Sequence, residues 1–343
     1  VKQRKRDGYR PSKQKRSGKR PNRFDGGAAG SENGIVNDGT RRLDAAVRER
    51  FLLSWAKARD RITRGKIHIE GVQVLDIGHL LAEGVDFEYV EATPRRPSVP
   101  VHSLPPEAIV HIDDDLVVVD KPAGLLSVPL DEYTEYEPKE DDESLVQLLS
   151  NALESMLGKG QDVFVVHRLD RGTSGVLVFA RNRIARDRLK DQFRVHSVHR
   201  CYLALVEGHV ASTTIENHLV RDRGDGVRGS VENAPLRMRR KLSGGRIAIT
   251  HVEALEMLRE ATLIACRLET GRTNQIRIHL SELGHPLVGE TVYRRSDGRS
   301  AKPARRLCLH AAELGFIHPR SGEHLHFKSE VPSAMQQEID GRR

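Results

Sequence analysis

The segment DVFVVHRLDRGTSGVLVFA, residues 162–180, sets a histidine, two arginines, an aspartate and two hydroxyls between two Val-rich runs. The runs, at 163–166 and 176–179, are short, β-branched and bounded by turn residues, so they read as a pair of buried strands. A plain hairpin needs only a few turn residues. Here His167, Arg168, Asp170, Arg171, Thr173 and Ser174 stand at a strand end, where a rigid scaffold presents functional groups. Taken alone, Asp170 is more often a turn residue whose carboxylate accepts local backbone N–H groups. Whether it does carboxylate chemistry depends on what the rest of the chain brings to it.

The 343 residues suffice for two domains, and 38% hydrophobic with 30% charged residues describes a soluble chain with polar tails. No apolar run approaches the ~20 residues of a membrane span, and no signal segment opens the chain. Cys201, Cys266 and Cys308 are few and widely spaced, which suggests neither a disulfide framework nor a metal clasp and implies a reduced, cytoplasmic setting. Among the histidines the nearest cluster, His318, His324 and His326, lacks HExxH spacing or Cys companions, so no metal is expected. The formal charge of +8 is a tail property. Residues 1–24 hold eleven Lys/Arg against Asp7 alone, and the remainder carries 45 basic and 47 acidic residues. Residues 1–40 are expected to be disordered, a basic arm able to bind nucleic acid by counterion release.

Residues 41–92 read as a small α+β unit. Leu43, Ala46, Val47 and Phe51 keep helical spacing, a second helix carries residues 56–62, and Ile67/Ile69 and Val72/Val74 alternate around a Glu70-Gly71 turn. Prolines mark 93–107 as a linker. The main domain, 108–335, opens with two strands around an acidic turn and a Lys121-Pro122-Ala123-Gly124 turn. In that turn Lys121 either faces substrate or braces the backbone. The acidic stretch 131–143 reads as a solvated loop. Ser144 and Gln147 form a capping box before an apolar stripe of Leu145, Leu148, Leu149, Ala152, Met156 and Leu157 that ends at Gly158. Residues 182–197 form a helix with Ala185, Leu189 and Phe193 inward and Arg183, Arg186, Arg188, Lys190 and Arg194 outward, a candidate RNA-facing surface. Strands follow at 200–208, 247–255 and 261–268. Thr273 is placed to cap a helix with Ile276, Leu280 and Leu283 on one side and Gly284 as its stop.

HRLDRGTSG resembles the HRLDxxTSG signature of the RluA-type pseudouridine synthases. Four further blocks stand in the family's order: DKPAGL from Asp120, RCYLALVEG from Arg200, TGRTNQIRIHL from Thr270, and RLCLHA from Arg306. Two positions depart from the usual wording, Arg200 for Lys and Asn274 for His. The unit at 41–92 is similar to the small RNA-binding domain of a small-subunit ribosomal protein, also found at the N-terminus of many RluA-type enzymes.

The resemblance implies a mixed, mainly antiparallel central sheet with flanking helices, the pseudouridine synthase fold, of α+β class. It implies an RNA isomerase with Asp170 as catalytic carboxylate and Arg277 as the buried guanidinium that keeps it ionised. Tyr202 is expected to stack on the uracil face, with removal of the carbon-5 proton as a second candidate role. His167, Arg168, Thr173, Lys121 and Arg272 are expected to contact substrate or RNA. No cofactor is implied, since isomerisation transfers no electrons. The expected partner is RNA, from the large ribosomal subunit precursor by preference with transfer RNA as an alternative, and the enzyme is expected to act as a monomer away from membranes. Two rivals remain. A catalytically silent RNA-binding or ribosome-assembly factor would not need Asp170 with Arg277, and a glycoside hydrolase would need a second carboxylate.

Overall fold

The computed structural model describes residues 32–35, 41–74, 77, 79–82, 84–91, 103–129, 144–223, 227–234, 236–239, 242, 244–293 and 304–343. The first unit comprises strands β1 (Glu32–Ile35) and β2 (Arg41–Arg42), helices α1 (Leu43–Arg50) and α2 (Trp55–Thr63), and strands β3 (Ile67–Ile69), β4 (Val72–Gln73), β5 (Leu80–Leu81) and β6 (Asp86–Tyr89). Two antiparallel sheets, β1-β6-β3-β4 and β2-β5, carry it. Glu70 and Gly71 both take positive φ, 50° and 75°, as a two-residue hairpin turn requires. The helical spacing holds: Leu43, Ala46 and Val47 meet Ala58, Ile62, Ile67 and Phe87 in a core of their own. One expectation is corrected. Residues 32–35, placed in a disordered tail, pair as a strand with β6, from Glu32 opposite Tyr89 to Ile35 opposite Asp86. The rest of 1–40, most of the linker and the stretch 131–143 lie outside the described residues.

The main domain begins where Leu104 and Ala108 enter its core beside a short 3-10 turn, Pro106–Ala108. It continues with β7 (Ile109–Ile112), β8 (Leu116–Lys121), α3 (Leu145–Leu157), β9 (Phe164–Val165), β10 (Ser174–Ala180), α4 (Arg183–Arg194), β11 (His199–Glu207), β12 (Thr213–Val220) and β13 (Gly229–Ser230). Then come α5 (Leu236–Arg239), β14 (Arg246–Leu258), β15 (Ala261–Leu268), α6 (Gln275–Glu282), β16 (Leu309–Ile317), β17 (His324–Lys328) and α7 (Ser333–Asp340). One sheet runs β13-β12-β14-β15-β11-β16-β10-β8-β7, with β17 on β16 and β9 on β10. All pairs are antiparallel except β10 with β16, so the sheet is mixed and mainly antiparallel, as expected.

That parallel contact explains the last glycine of the signature. Gly175 lies at φ +113°, and a Cβ there would sit 2.2 Å from the Ala311 carbonyl oxygen. Only glycine lets β10 come this close to β16 in this conformation.

Two details of the helices differ from the sequence pattern. In α3, Gln147 Oε1 accepts the Ser144 N–H at 2.8 Å and Gly158 turns the chain at φ 88°, but Leu153 is buried while Met156 and Leu157 are exposed. The stripe drifts because 3.6 residues per turn do not keep a fixed four-residue step. At α6 the cap is Asn274, not Thr273. Asn274 takes a left-handed φ of 58°, which Asn tolerates better than Thr, and its side chain makes no cap hydrogen bond.

Candidate active site

Asp170 sits in the loop between β9 and β10, and both its neighbours are clamped. The Leu169 N–H donates to Ser127 Oγ at 3.1 Å, and the same hydroxyl donates to the Leu169 carbonyl at 2.8 Å. On the other side the Gly124 N–H donates to the Arg171 carbonyl at 2.7 Å, and Arg171 Nε donates to the Gly124 carbonyl at 2.9 Å. Leu169 is buried in the main core, and the Thr173 N–H closes the turn on the Asp170 carbonyl at 3.0 Å. The backbone is therefore held on either side of the carboxylate, while the side chain itself makes no hydrogen bond or ion pair among the described residues. Instead it opens on a cavity of about 570 Å³.

The cavity collects residues far apart in the chain. His167, Arg168, Asp170 and Thr173 come from the signature loop, Phe193 and Arg194 from α4, Arg200 and Tyr202 from β11, and Arg272 to Arg277 from the entry to α6. Of the eight expected site residues, seven line this one space: Asp170, Tyr202, Arg277, Arg168, His167, Thr173 and Arg272.

Lys121 is the exception and a correction. It is fully buried, and its ammonium donates to the carbonyls of Pro122 (2.9 Å), Leu125 (2.8 Å) and Arg171 (3.3 Å). It braces the turn that clamps Asp170 and does not reach the cavity. Burial lowers it to about 7, against the charge of Asp170, which raises it.

Burial likewise pushes the Asp170 carboxyl above its ordinary value; the guanidinium groups of Arg277 and Arg168 oppose that shift, and Glu290 adds to it. Arg277 does not touch Asp170 directly. Its Nε and one terminal nitrogen donate to the buried Glu290 carboxylate at 2.8 and 2.7 Å, and its other terminal nitrogen donates to Asn274 Oδ1 at 3.1 Å. Burial works against the Arg277 charge, but the hydrogen bonds and charge of Glu290 more than offset it, so Arg277 is a fixed cation. Glu290 is itself held by the N–H groups of Thr291, Val292 and Tyr293. The turn before it depends on Gly289, where a Cβ would lie 2.1 Å from the Arg306 carbonyl oxygen.

Burial raises the Tyr202 phenol to about 12, with Arg200 opposing and Asp170 adding, so it stays protonated at neutral pH. A protonated phenol can pack and donate, but it cannot take up a proton. His167 is pushed down to about 3 by burial and by Arg200. It stacks on Phe193 at 4.3 Å and accepts the Val178 N–H at 3.2 Å, which makes it a neutral wall. Arg168 lines the cavity from an exposed position.

Four contributors were not expected as site residues. Glu290 and Tyr293 hold Arg277 from below, Asn274 bridges Arg277 to the Tyr293 hydroxyl (2.9 Å), and Arg200 donates to the Leu268 carbonyl at 3.2 Å while lining the cavity. A buried arginine demands a carboxylate, so Arg277 signals a partner, but nothing in the spacing selects Glu290. The histidines also regroup: His326 joins His199 about Glu313, and His318 joins Asp113 and Asp115, while His324 joins neither.

Residues 115–282 match the family described as RNA pseudouridylate synthase. The chain is 39% identical over 250 residues to ribosomal large subunit pseudouridine synthase D of Zymomonas mobilis, covering 69% of this chain and 74% of that protein. It is 34% identical over 304 residues to the protein of the same name from Xylella fastidiosa, covering 84% and 86%. In three dimensions it is similar to human RNA pseudouridylate synthase domain containing 4, with a TM-score of 0.54 at 20% identity over 68% of this chain and 92% of that one.

Proposed function

The chain belongs to the RluA-type RNA pseudouridine synthase family, and from that premise we propose that Asp170 is its catalytic carboxylate and large-subunit ribosomal RNA its substrate. The observation that carries the assignment of Asp170 is the convergence of Asp170, Tyr202 and Arg277 on one cavity.

In the reaction the bond from uracil N1 to ribose C1′ breaks and a bond from C5 to C1′ forms. The carbon-5 hydrogen leaves as a proton and N1 gains one, so atoms and electrons balance within the substrate. The uridine leaves its stack to reach the cavity, at a cost of a few kcal/mol that flanking contacts offset. Asp170 acts as the anion, either by adding to C1′ or by assisting cleavage of the glycosidic bond. Either role needs ionisation in a desolvated place, which the fixed charge of Arg277 supports. Tyr202 packs against the uracil as a neutral phenol. Arg168 fills the gap in the RNA stack.

The names of the relatives, ribosomal large subunit pseudouridine synthase D, support the ribosomal substrate. The unit at 41–92 serves as the RNA-holding domain. It displays Arg48 against the Trp55 ring at 4.9 Å, a basic side chain stacked on an aromatic surface. The basic arm adds salt-sensitive affinity. Among the described residues no helix is long and apolar enough to cross a membrane, and we place the enzyme in the cytoplasm as a monomer.

Carbodiimide mapping of pseudouridines in cells lacking this gene tests the substrate. Loss of reverse-transcription stops at one or a few large-subunit positions is expected. Unchanged ribosomal RNA with a lost stop in transfer RNA overturns the ribosomal assignment.

A further inference from the structure

Beside the catalytic cavity lies a second groove of about 600 Å³, and the two share Gly271, Arg272 and Thr273 as a common wall. The wall is a single loop between β15 and α6, and it is thin where Gly271 stands. A Cβ there would lie 2.8 Å from an Arg200 guanidinium nitrogen. A strand crossing this loop would pass from one space to the other.

The groove differs in chemistry from the cavity. It is floored by the ends of β12 and β14, and among the described residues Arg221, Arg228, Arg246 and Arg272 line it against one carboxylate, that of Asp222. Arg221 and Arg246 are exposed and Arg228 is half-buried. None of these three has a side-chain partner among the described residues. Apart from the Arg272 Nε bond to the Ile247 carbonyl at 3.0 Å, the guanidinium groups are uncommitted among the described residues. Among the described residues no aromatic lines the groove, so they offer no surface on which a base could stack.

Unpaired guanidinium groups without aromatics suit phosphate, not bases. We infer that this groove is a phosphodiester subsite that takes the RNA backbone flanking the target uridine on one side, across the loop at 271–273. The inference rests on the pseudouridine synthase reading and adds a position to it. The backbone beyond the flipped nucleotide is pinned by Arg221, Arg228 and Arg246, and this offsets the cost of unstacking without reading sequence. Contacts of this kind act on RNA long enough to reach the groove and leave shorter RNA unaffected.

The test uses the full chain and fluorescein-labelled oligouridylates of increasing length, read by anisotropy over a salt series. For the unaltered protein, affinity should climb with length once the strand spans the loop. In Arg228→Gln/Arg246→Gln that climb should flatten, and the salt slope on long RNA should fall by about 1.4, from about 0.7 per lost contact to a single strand. Trinucleotide binding should be unchanged. Arg228→Lys/Arg246→Lys should keep the slope, and the melting temperatures of both variants should match the parent. A wild-type length dependence and slope in the Gln pair would overturn the subsite, as would an equal loss on the trinucleotide. Should the parent form no pseudouridine in any RNA, the activity reading fails instead, and the length series still reports on the groove.

Discussion

Two aspartates in this chain, Asp44 fully buried and Asp170 half-buried beside a cavity, stand in opposite situations. Asp44, at the start of α1, is fully buried and receives Arg42 through Nε (3.0 Å) and a terminal nitrogen (2.7 Å), with Arg59 Nε at 2.8 Å. Its lone pairs are occupied, and no cavity adjoins it among those described. Asp170 has no side-chain partner among the described residues, lies beside a cavity, and meets its guanidinium neighbours only across space. In Arg277 the protein supplies a cation and then ties it to Glu290. The first arrangement satisfies a charge, and the second keeps one available. A carboxylate that is desolvated but unpaired is poised to react, because nothing must be broken before it meets substrate.

The largest expected effects invert that pair. Asp170→Asn should lower pseudouridine formation by at least ~10³-fold, as loss of a reacting group does, while leaving RNA binding within a few-fold. It should also raise the melting temperature. The folded-state pKa of Asp170 is raised, so this group's stabilisation is present below the ordinary carboxylate range and is lost as pH rises through the elevated value. At neutral pH the buried anion is a cost, and the amide removes it. Asp44→Asn should do the reverse: a loss of about 3–5 kcal/mol from a broken buried pair, with normal turnover per folded molecule on short RNA. Melting curves and tritium release from carbon-5-labelled uridine separate the two. Stabilisation by Asp44→Asn, or destabilisation by Asp170→Asn, would dissolve the contrast.

The contrast was half visible beforehand. The signature loop and the order of the blocks carried a family resemblance, and what that resemblance implied matched the sheet and seven residues around one cavity. What stayed hidden depends on distance in the fold. Lys121 lies among residues equally fit to bind phosphate or to brace a turn, and only the three carbonyls converging on its ammonium decide the matter. Glu290 sits in a Gly-rich turn thirteen residues beyond Arg277 with no period to connect them. Thr273 fits a cap by type, yet the cap is Asn274, in a left-handed turn with its side chain donating to the distant Tyr293 hydroxyl at 2.9 Å, a contact no local pattern foretells. β1 was missed because a short strand in a Gly-rich tail exists only through its pairing with β6.

A smaller effect probes the spacing between Arg277 and Asp170. The negative charge of Glu290 raises the Asp170 pKa and holds the guanidinium in place. Glu290→Gln removes that charge but keeps an acceptor. The acid limb of the rate profile, set by Asp170 ionisation, should move to lower pH, and the plateau rate should drop about 10-fold as Arg277 loses its fixed position. An unmoved acid limb would mean that Glu290 supports the fold alone.

The smallest expected change comes at Tyr202, and it separates packing from proton transfer. With its phenol pushed up to about 12, Tyr202 carries almost no phenolate at neutral pH. A base in that state would make the rate climb tenfold per pH unit through the neutral and mildly alkaline range, because only the phenolate could act. A packing residue gives a flat profile there. Tyr202→Phe keeps the ring and its buried area, so it should cost less than about 10-fold in turnover and leave the profile flat. Tyr202→Ala should cost more, through the lost stacking surface. If the Phe variant instead abolishes turnover while RNA binding survives, the hydroxyl takes part in the chemistry. Asp170 would then share the reaction with a second group, and the contrast with Asp44 would extend from one carboxylate to a pair of residues.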